Sequence, residues 1–328
     1  MAKNYNTPIL LGTEDLRSKS FDMLLALTPV LIFAVWTHGA PALREMFLSV
    51  FACVMSQWLF RYFMKKPLRL TDGTAVVTGL MLACCLPPNV PVYVPLLGGA
   101  FAQIMVVELF GGYGNNFVNP ALAAQGFLLV SFSTVMSTNT VDAISVATPL
   151  VRMADGQTVD LLAMFLNKTY GTVGDISALC ILIGFAYLLI RRRINPIVPA
   201  VSTGVFALCL GLFSGHGFDV HYILGQILGG GFLFLVCFFS SDPVTTPRKA
   251  GGKLIFGIVF GALYAVFRVF GKSPENGSYA LLFVMLLTPL LDIMATGSEK
   301  KLNLRAMKKE AEDAGADASA EAGKEARA

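Results

Sequence analysis

Apolar residues along the chain are gathered into ten long runs, which are separated by short polar or glycine- and proline-rich segments. The runs approach the roughly 17 to 25 residues that an α-helix needs to cross about 30 Å of hydrocarbon. They are Met23–Trp36, Phe47–Phe63, Thr74–Leu86, Val94–Phe110, Ala121–Val135, Ile176–Ile190, Ile197–Phe213, Tyr222–Phe239, Leu254–Phe270 and Tyr279–Ala295. This pattern predicts an all-α polytopic membrane protein with about ten transmembrane helices. The third run is the weakest, because four prolines crowd its end.

The segments between the runs divide the chain into five parts. We expect a cytoplasmic N-terminal segment at 1–21, membrane bundles at 22–136 and 175–297, and one long extracytoplasmic loop at 137–174. The remaining part, 298–328, is rich in Ala, Glu, Asp, Gly and Lys and has no apolar face to bury, so it is predicted to be a disordered cytoplasmic tail.

Basic residues give this arrangement an orientation. With ten crossings both termini lie on one face, and nearly all of the 25 Lys and Arg residues fall on that face. The exceptions are Arg44, Arg152, Lys168, Arg268 and Lys272. Because Lys and Arg are retained on the cytoplasmic side, both termini are predicted to be cytoplasmic and the 137–174 loop extracytoplasmic. The net charge of +4 is explained by this topology, and no nucleic-acid partner is expected.

Two short motifs recur along the chain. Val77-Thr78-Gly79 is echoed by Ser202-Thr203-Gly204, and Asn119-Pro120 by Asp242-Pro243, at separations of 125 and 123 residues. Nearly equal separations suggest an internal duplication of the bundle. With ten crossings the two copies are parallel, whereas a hidden half-helix would make them inverted.

The two Asx-Pro dipeptides follow Gly-rich or Ser-rich stretches on the predicted cytoplasmic side. Asx followed by Pro is a strong helix-start signal, so one interpretation is a pair of N-caps. The other is that two equivalent helix ends converge on a polar ligand, with Asn116, Asn119 and Asp242 as hydrogen-bonding groups.

Glu108 is a carboxylate near the cytoplasmic end of an apolar run, with no basic residue close to it in sequence. Carboxylates inside a membrane are costly and often mark ion paths, so Glu108 is a candidate for an ion path. The alternative is that it is solvated at the membrane boundary, as expected for Asp72 and Asp292.

The six cysteines all lie within apolar runs, without C-x-x-C spacing or a neighbouring His. They are predicted to pack as small apolar side chains, and no metal site and no catalytic residue is expected. A redox or cluster role for the vicinal pair Cys84 and Cys85 is the alternative.

A polar run interrupts the apolar character in the long predicted loop: Asp142, Ser145, Ala147 and Thr148 stand in the order Asp-x-x-Ser-x-Ala-Thr-Pro. A threonine hydroxyl is a weak nucleophile that needs activation, and Thr148 in this setting is a candidate for covalent attachment of a cofactor. The alternative is an Ala-Thr-Pro turn in which Thr148 only caps the chain.

Four separated motifs occur in one order along the membrane region. They are 71–79 (TDGTAVVTG), 115–121 (NNFVNPA), 142–150 (DAISVATPL) and 241–247 (SDPVTTP). With these motifs the chain closely resembles the D subunit of the bacterial Rnf electron-transport complex. The related B subunit of the sodium-pumping NADH:quinone reductase shares the pattern. The resemblance spans essentially the whole membrane region.

The resemblance implies that a flavin transferase outside the cytoplasm attaches FMN to Thr148 through a phosphoester, so that the chain is a phosphoprotein and a flavoprotein. Asp142 and Ser145 would position the substrate or metal of the transferase, and Ala147 would leave room for its approach. Val146 stands where related sites often carry glycine. A second, noncovalent flavin such as riboflavin is also implied, with the Asn119 and Asp242 region as its expected pocket.

The resemblance further implies an electron relay in the bacterial inner membrane, between reduced ferredoxin and NAD, coupled to sodium or proton translocation with subunits A, B, C, E and G. The chain has neither a Gly-rich dinucleotide fingerprint nor ferredoxin cysteine spacing, so NAD and ferredoxin are expected to bind other subunits. Three alternatives stay open: the B subunit of the quinone reductase, disfavoured by the short segment before the first run; a channel or transporter for a small solute; and a scaffold subunit.

Overall fold

The fold is a bundle of helices joined by short connections. The structure, a computed structural model, describes residues 13–68, 71–136, 140–141, 144–145, 153, 159–166, 171–240, 242, 244–271 and 277–295. The helices of the first half are α1 (Thr13–His38), α2 (Ala40–Phe63), α3 (Thr74–Cys85), α4 (Tyr93–Glu108), α5 (Pro120–Ser131) and α6 (Ser133–Met136). They are followed by β1 (Thr140–Val141), β2 (Ile144–Ser145) and α7 (Leu161–Leu166). The second half contains α8 (Ala178–Ile190), α9 (Ile197–Phe213), α10 (Val220–Leu228), α11 (Phe232–Phe239), α12 (Ala250–Phe270) and α13 (Gly277–Ala295).

Ten apolar segments of this structure coincide with the ten predicted runs. Helices α1, α2, α12 and α13 are each long and apolar enough to cross a membrane, and α10 and α11 form a fifth candidate bent by 65°. The shorter apolar helices α3, α4, α5, α8 and α9 occupy the other runs. Large apolar side chains such as Trp36, Val130 and Ile190 are exposed on the outside, a surface suited to lipid. The prediction of a polytopic helical membrane protein is confirmed; the number of crossings stays a prediction.

The strictly all-α prediction missed one small element. Strands β1 and β2 pair antiparallel, with Thr140 opposite Ser145 and Val141 opposite Ile144. Two residues a strand make this a minor addition to a helical fold. It lies in the segment predicted to be a loop.

Two pairs of helices repeat one arrangement. Helices α2 and α4 run parallel, because Arg44 near the start of α2 donates to the Val90 carbonyl just before α4 at 2.8 Å, while Arg61 near the end of α2 pairs with Glu108. Helices α9 and α12 also run parallel, because a Cβ on Gly257 would meet Val201 and a Cβ on Gly261 would meet Val205, each at 3.0 Å.

The close approach within each pair uses the same contact. In the first pair, a Cβ on Gly99 would lie 3.1 Å from the Ser49 carbonyl oxygen and 2.7 Å from the Ala52 Cβ. In the second, a Cβ on Gly261 would lie 2.5 Å from the Ser202 carbonyl oxygen and 3.0 Å from the Val205 Cβ. Only glycine allows two helix backbones to come this close, as in other membrane bundles.

The spacing and direction of the helices identify the repeat. Helices α2 and α4 begin at 40 and 93, and α9 and α12 begin at 197 and 250, each 157 residues further on. Asn119, in the connection that follows α4, contacts Asp242, in the connection that precedes α12, so the carboxyl end of the first pair lies beside the amino end of the second. The inverted alternative therefore describes these halves, and the motif separations of 125 and 123 residues are not their period.

Candidate functional site

The motif in the loop is largely outside the part of the chain that the structure describes. This applies to Asp142, Ala147 and Thr148. For Ser145 the structure gives the backbone, which pairs with Thr140 in the β1–β2 ladder. The assignment of Thr148 therefore rests on its sequence motif.

Asn119 and Asp242, in contrast, are in direct contact. The Asn119 side-chain amide donates to the Asp242 carboxylate at 2.9 Å, and both residues are buried. The Asn119 Oδ1 also accepts from the backbone N–H groups of Ala121 and Leu122, which makes it the N-cap of α5. At Asn119 the cap and the contact with Asp242 are thus made by opposite ends of one amide group. The N-cap interpretation is wrong for Asp242, because α12 begins at Ala250 with Lys249 as its N-cap.

Asn116 uses its polar atoms within its own turn. Its Oδ1 accepts from the Gly114 N–H at 3.0 Å, and its Nδ2 donates to the Val118 carbonyl at 2.9 Å. This arrangement shapes the Gly-rich connection that leads from α4 to Asn119. Asn116 is not among the residues that line the cleft described next.

A cleft with a cavity volume of about 80 Å³ opens beside the Asn119–Asp242 contact. Its polar groups include Tyr113, Asn119, Asp242 and Arg193, and its apolar wall includes Phe238. The other lining residues are Leu16, Lys19, Ser20, Met23, Thr74, Val77, Met81, Leu188, Ile194 and Val244.

Burial shifts the pKa values of two cleft groups in the connections between helices, Asp242 and Tyr113. It raises the pKa of the Asp242 carboxyl, although hydrogen bonds from the Val244 N–H and the Asn119 amide act in the opposite direction. Burial also raises the pKa of the Tyr113 phenol well above its ordinary value, and the nearby carboxylates of Asp242 and Asp72 raise it further. Tyr113 is therefore a neutral hydrogen-bonding group at physiological pH.

Arg193 was not identified from the sequence and is held by an ion-pair network at the rim of the cleft. Asp22 of α1 accepts hydrogen bonds from Arg193, from Arg191 at 3.3 Å and from the Tyr187 hydroxyl at 3.0 Å. The sequence does show the two partners of this network: an aspartate just before the first apolar run, and three arginines just after the sixth. Their separation of about 170 residues hid the pairing.

Glu108 has a partner from another helix. Its Oε1 lies 2.7 Å from Arg61 Nε, and the two side chains are 1% and 7% exposed. The alternative that Glu108 is solvated at a boundary is therefore wrong. Asp72 is likewise buried and accepts from the Thr74 N–H and hydroxyl, so solvation does not describe it either.

Cys53, Cys84, Cys85 and Cys237 are buried, and all six cysteines are free thiols. Within the described part of the chain there is no group of three or more His, Cys, Asp or Glu residues that could hold a metal ion. The vicinal pair accordingly gains no convergent ligand from any described residue.

The model of the NQR2, RnfD, RnfE family matches residues 4–300. The chain belongs to this family. It is 35% identical over 318 residues to the D subunit of the Na⁺-translocating ferredoxin:NAD⁺ oxidoreductase complex of Acetobacterium woodii, covering 93% of this chain and 96% of that one. It is 31% identical over 305 residues to the D subunit of the proton-translocating complex of Clostridium ljungdahlii, covering 88% and 92%. The resemblance to the D subunit of Rnf complexes is confirmed.

A second branch of the family is also similar. The B subunit of the Na⁺-translocating NADH-quinone reductase of Klebsiella pneumoniae is 31% identical over 290 residues, covering 82% of this chain and 70% of that one. The two D subunits are thus matched over a larger share of their own length than this B subunit.

Proposed function

We propose that the chain is the D-type membrane subunit of an ion-translocating ferredoxin:NAD⁺ oxidoreductase and acts there as an electron relay. The observation that carries the proposal is the Asp-x-x-Ser-x-Ala-Thr run ending at Thr148, in a chain that matches D subunits over nearly its whole length. Thr148 carries FMN through a phosphoester, attached by a flavin transferase, and Asp142, Ser145 and Ala147 serve the attachment.

The cleft beside Asn119 and Asp242 is the proposed pocket for a second, noncovalent flavin of the riboflavin type. Its apolar wall at Phe238 and its convergent amide, carboxyl and phenol groups support this assignment. Asn119 and Asp242 would hydrogen-bond the polar edge of the ring, and Asn116 would hold the turn that carries Tyr113. A flavin at this position supplies one- and two-electron chemistry; the protein supplies binding and orientation.

The proposed setting is the bacterial inner membrane, with both termini cytoplasmic and the Thr148 loop outside. The clustering of Arg61, Arg191, Arg193 and Lys253 at one end of the bundle supports this orientation. Subunits A, B, C, E and G are the proposed partners, and NAD and ferredoxin bind to them.

The decisive test is in-gel flavin fluorescence of the denatured chain after expression with the flavin transferase. Wild type and a Thr158→Ala control from the same predicted loop should fluoresce, and Thr148→Ala should be dark. A wild type without fluorescence, despite a transferase that modifies a known substrate, would remove the covalent flavin and with it the proposed relay.

A transporter for a small solute is the second candidate, because inverted halves and a broken helix such as α10–α11 are typical of secondary transporters. Flavin content separates the two functions. A transporter has no use for a tightly bound flavin, whereas an electron relay requires one.

A further inference from the structure

A row of polar side chains runs along one buried face of α2. Glu45, Ser49, Cys53, Gln57 and Arg61 follow one another at intervals of four residues, and all five are buried. Since residues four apart lie on the same face of a helix, this is a single polar stripe along an otherwise apolar helix. The stripe extends over most of a candidate membrane span, where polar groups are costly and usually functional.

The stripe faces α4. Cys53 Sγ donates to the Gly99 carbonyl at 3.7 Å, and the Arg44–Val90 contact has the same separation of 46 residues. This register places Gln103 opposite Gln57. The Arg61–Glu108 pair, however, is separated by 47 residues. Between them α4 is a π-helix over Ala102–Glu108, and π segments add a residue and are frequent at functional sites.

The added residue decides which side chain faces Arg61. If the same sequence formed a regular α-helix throughout, the register of 46 would bring Val107 to that place and leave Glu108 on another face. The π segment therefore turns Glu108 towards the stripe of α2. The π segment thus adds the Glu108 carboxylate to the buried polar row.

Four oxygen atoms of the row lack a hydrogen-bond donor among the described residues. They are Glu45 Oε2, Ser49 Oγ, Gln57 Oε1 and Gln103 Oε1, all in residues that are at most 1% exposed. Buried polar atoms are nearly always paired, so each of these calls for a partner. Oxygen atoms without donors are what a partly dehydrated cation requires.

Ion pairs close both ends of the row. Arg44 holds Glu45 at 2.7 Å, with the arginine 43% exposed, and Arg61 holds Glu108 at 2.7 Å. A cation entering the row from either end can replace an arginine beside its carboxylate. The neutral oxygens of Ser49, Gln57 and Gln103 lie between the two pairs.

We propose that this row, called here the polar seam (Glu45, Ser49, Gln57, Gln103 and Glu108), binds the monovalent cation that the complex translocates. The inference rests on the proposed function, because it assigns a site to the ion movement of that complex. Na⁺ and a proton carried on water share the required oxygen chemistry, and the experiment separates them.

The test uses the assembled complex in vesicles, with electron transfer from reduced ferredoxin to NAD⁺. Uptake of radioactive Na⁺ and acidification seen by a pH dye are measured together and divided by the electrons transferred. For Gln57→Leu/Gln103→Leu we expect electron transfer and Thr148 fluorescence to persist. The cation concentration for half-maximal uptake should rise about tenfold, as for the loss of supporting groups at an ion site. Gln57→Glu, which adds a negative charge to the row, should instead lower the cation concentration for half-maximal uptake.

Gln226→Leu is the matched control, because Gln226 is another buried glutamine with an unpartnered Oε1, on α10 away from the seam. A fall confined to Na⁺ uptake identifies sodium as the ligand, and one confined to acidification identifies the proton. Ions per electron equal to wild type in the double variant overturn the polar seam while leaving the electron relay standing. If the double variant does not assemble, Gln57→Glu and Gln103→Glu decide: unchanged cation dependence in both overturns the inference.

Discussion

The two parallel helix pairs, α2–α4 and α9–α12, have the same backbone arrangement and different interiors. Each pair meets at a glycine, Gly99 or Gly261, that lies against the carbonyl oxygen of a serine on the partner helix. Further along the same faces, the first pair carries Gln57 and Gln103, whereas the second carries Leu210 and Ala265, all of them buried. The repeat therefore fixes how the helices approach and leaves the chemistry of the interface free to diverge.

The two serines at these contacts show the same divergence. Ser202 donates its hydroxyl to the Val198 carbonyl of its own helix at 2.7 Å. Ser49 Oγ has no partner among the residues described. The α9–α12 pair is closed by Phe206, Phe260 and Tyr264, all fully buried, and serves as a rigid apolar counterpart to the polar seam.

The largest effect is expected from breaking the ion pair that only the first helix pair possesses. Arg61→Leu leaves the Glu108 carboxylate buried without its partner, which should cost about 3–5 kcal/mol of stability and most of the folded protein. Thermal unfolding and the monodisperse fraction in detergent measure this. Arg61→Leu/Glu108→Leu, with both charges removed, should recover most of the loss; wild-type stability in the single variant would show that the pair is not buried as described.

Adding a methyl group at either glycine contact tests whether the backbone arrangement is shared. Gly99→Ala and Gly261→Ala place a Cβ within 2.7 Å of Ala52 Cβ and 2.5 Å of the Ser202 carbonyl oxygen, and each should cost about 1–3 kcal/mol in thermal unfolding. Gly204→Ala is the control, since its Cβ would meet nothing within 4 Å and alanine suits a helix interior. Only Gly99→Ala should also lower the ions moved per electron. If both variants moved the same number of ions per electron, the proposed difference between the two helix pairs would be wrong.

Replacing a glutamine by leucine should have opposite effects on stability inside and outside the polar seam. Gln57→Leu removes a buried oxygen without a donor, so its stability should be unchanged or higher by up to about 1 kcal/mol. Gln125→Leu removes the acceptor of the Ser278 hydroxyl and should cost about 1–3 kcal/mol. Chemical or thermal unfolding in one detergent compares them. Equal losses would indicate that Gln57 is already satisfied.

The smallest effect concerns pH and the cleft where the two halves meet. Because burial raises the folded-state pKa of Asp242 above 3.8, the folded state holds this proton more tightly than the unfolded one. Its contribution to stability is therefore complete below pH 3.8 and is lost as pH rises through the raised value. Asp242→Asn should flatten the dependence of the unfolding temperature on pH across this window, with Asp292→Asn as the control. An unchanged slope would contradict the raised pKa.

Features that depend on local sequence were predictable. The ten apolar helices follow from run length alone. The contact of Asn119 with Asp242 does not follow from equivalent helix starts, because Asn119 caps α5 whereas α12 begins only at Ala250. The Arg61–Glu108 pair was not predictable, because its partners are 47 residues apart and depend on a π segment that has no simple pattern in sequence. The Asp22 network was hidden by an even longer separation.

The π segment of α4 also bears on how such a protein can change over generations. Deleting one residue from a regular helix turns everything beyond it by about 100° and is normally ruinous. A deletion within Ala102–Glu108 would instead be absorbed, because it restores an ordinary helix and leaves both ends of α4 in place. One deletion could thus remove the π segment while Glu108 keeps its place opposite Arg61, and one insertion could recreate it.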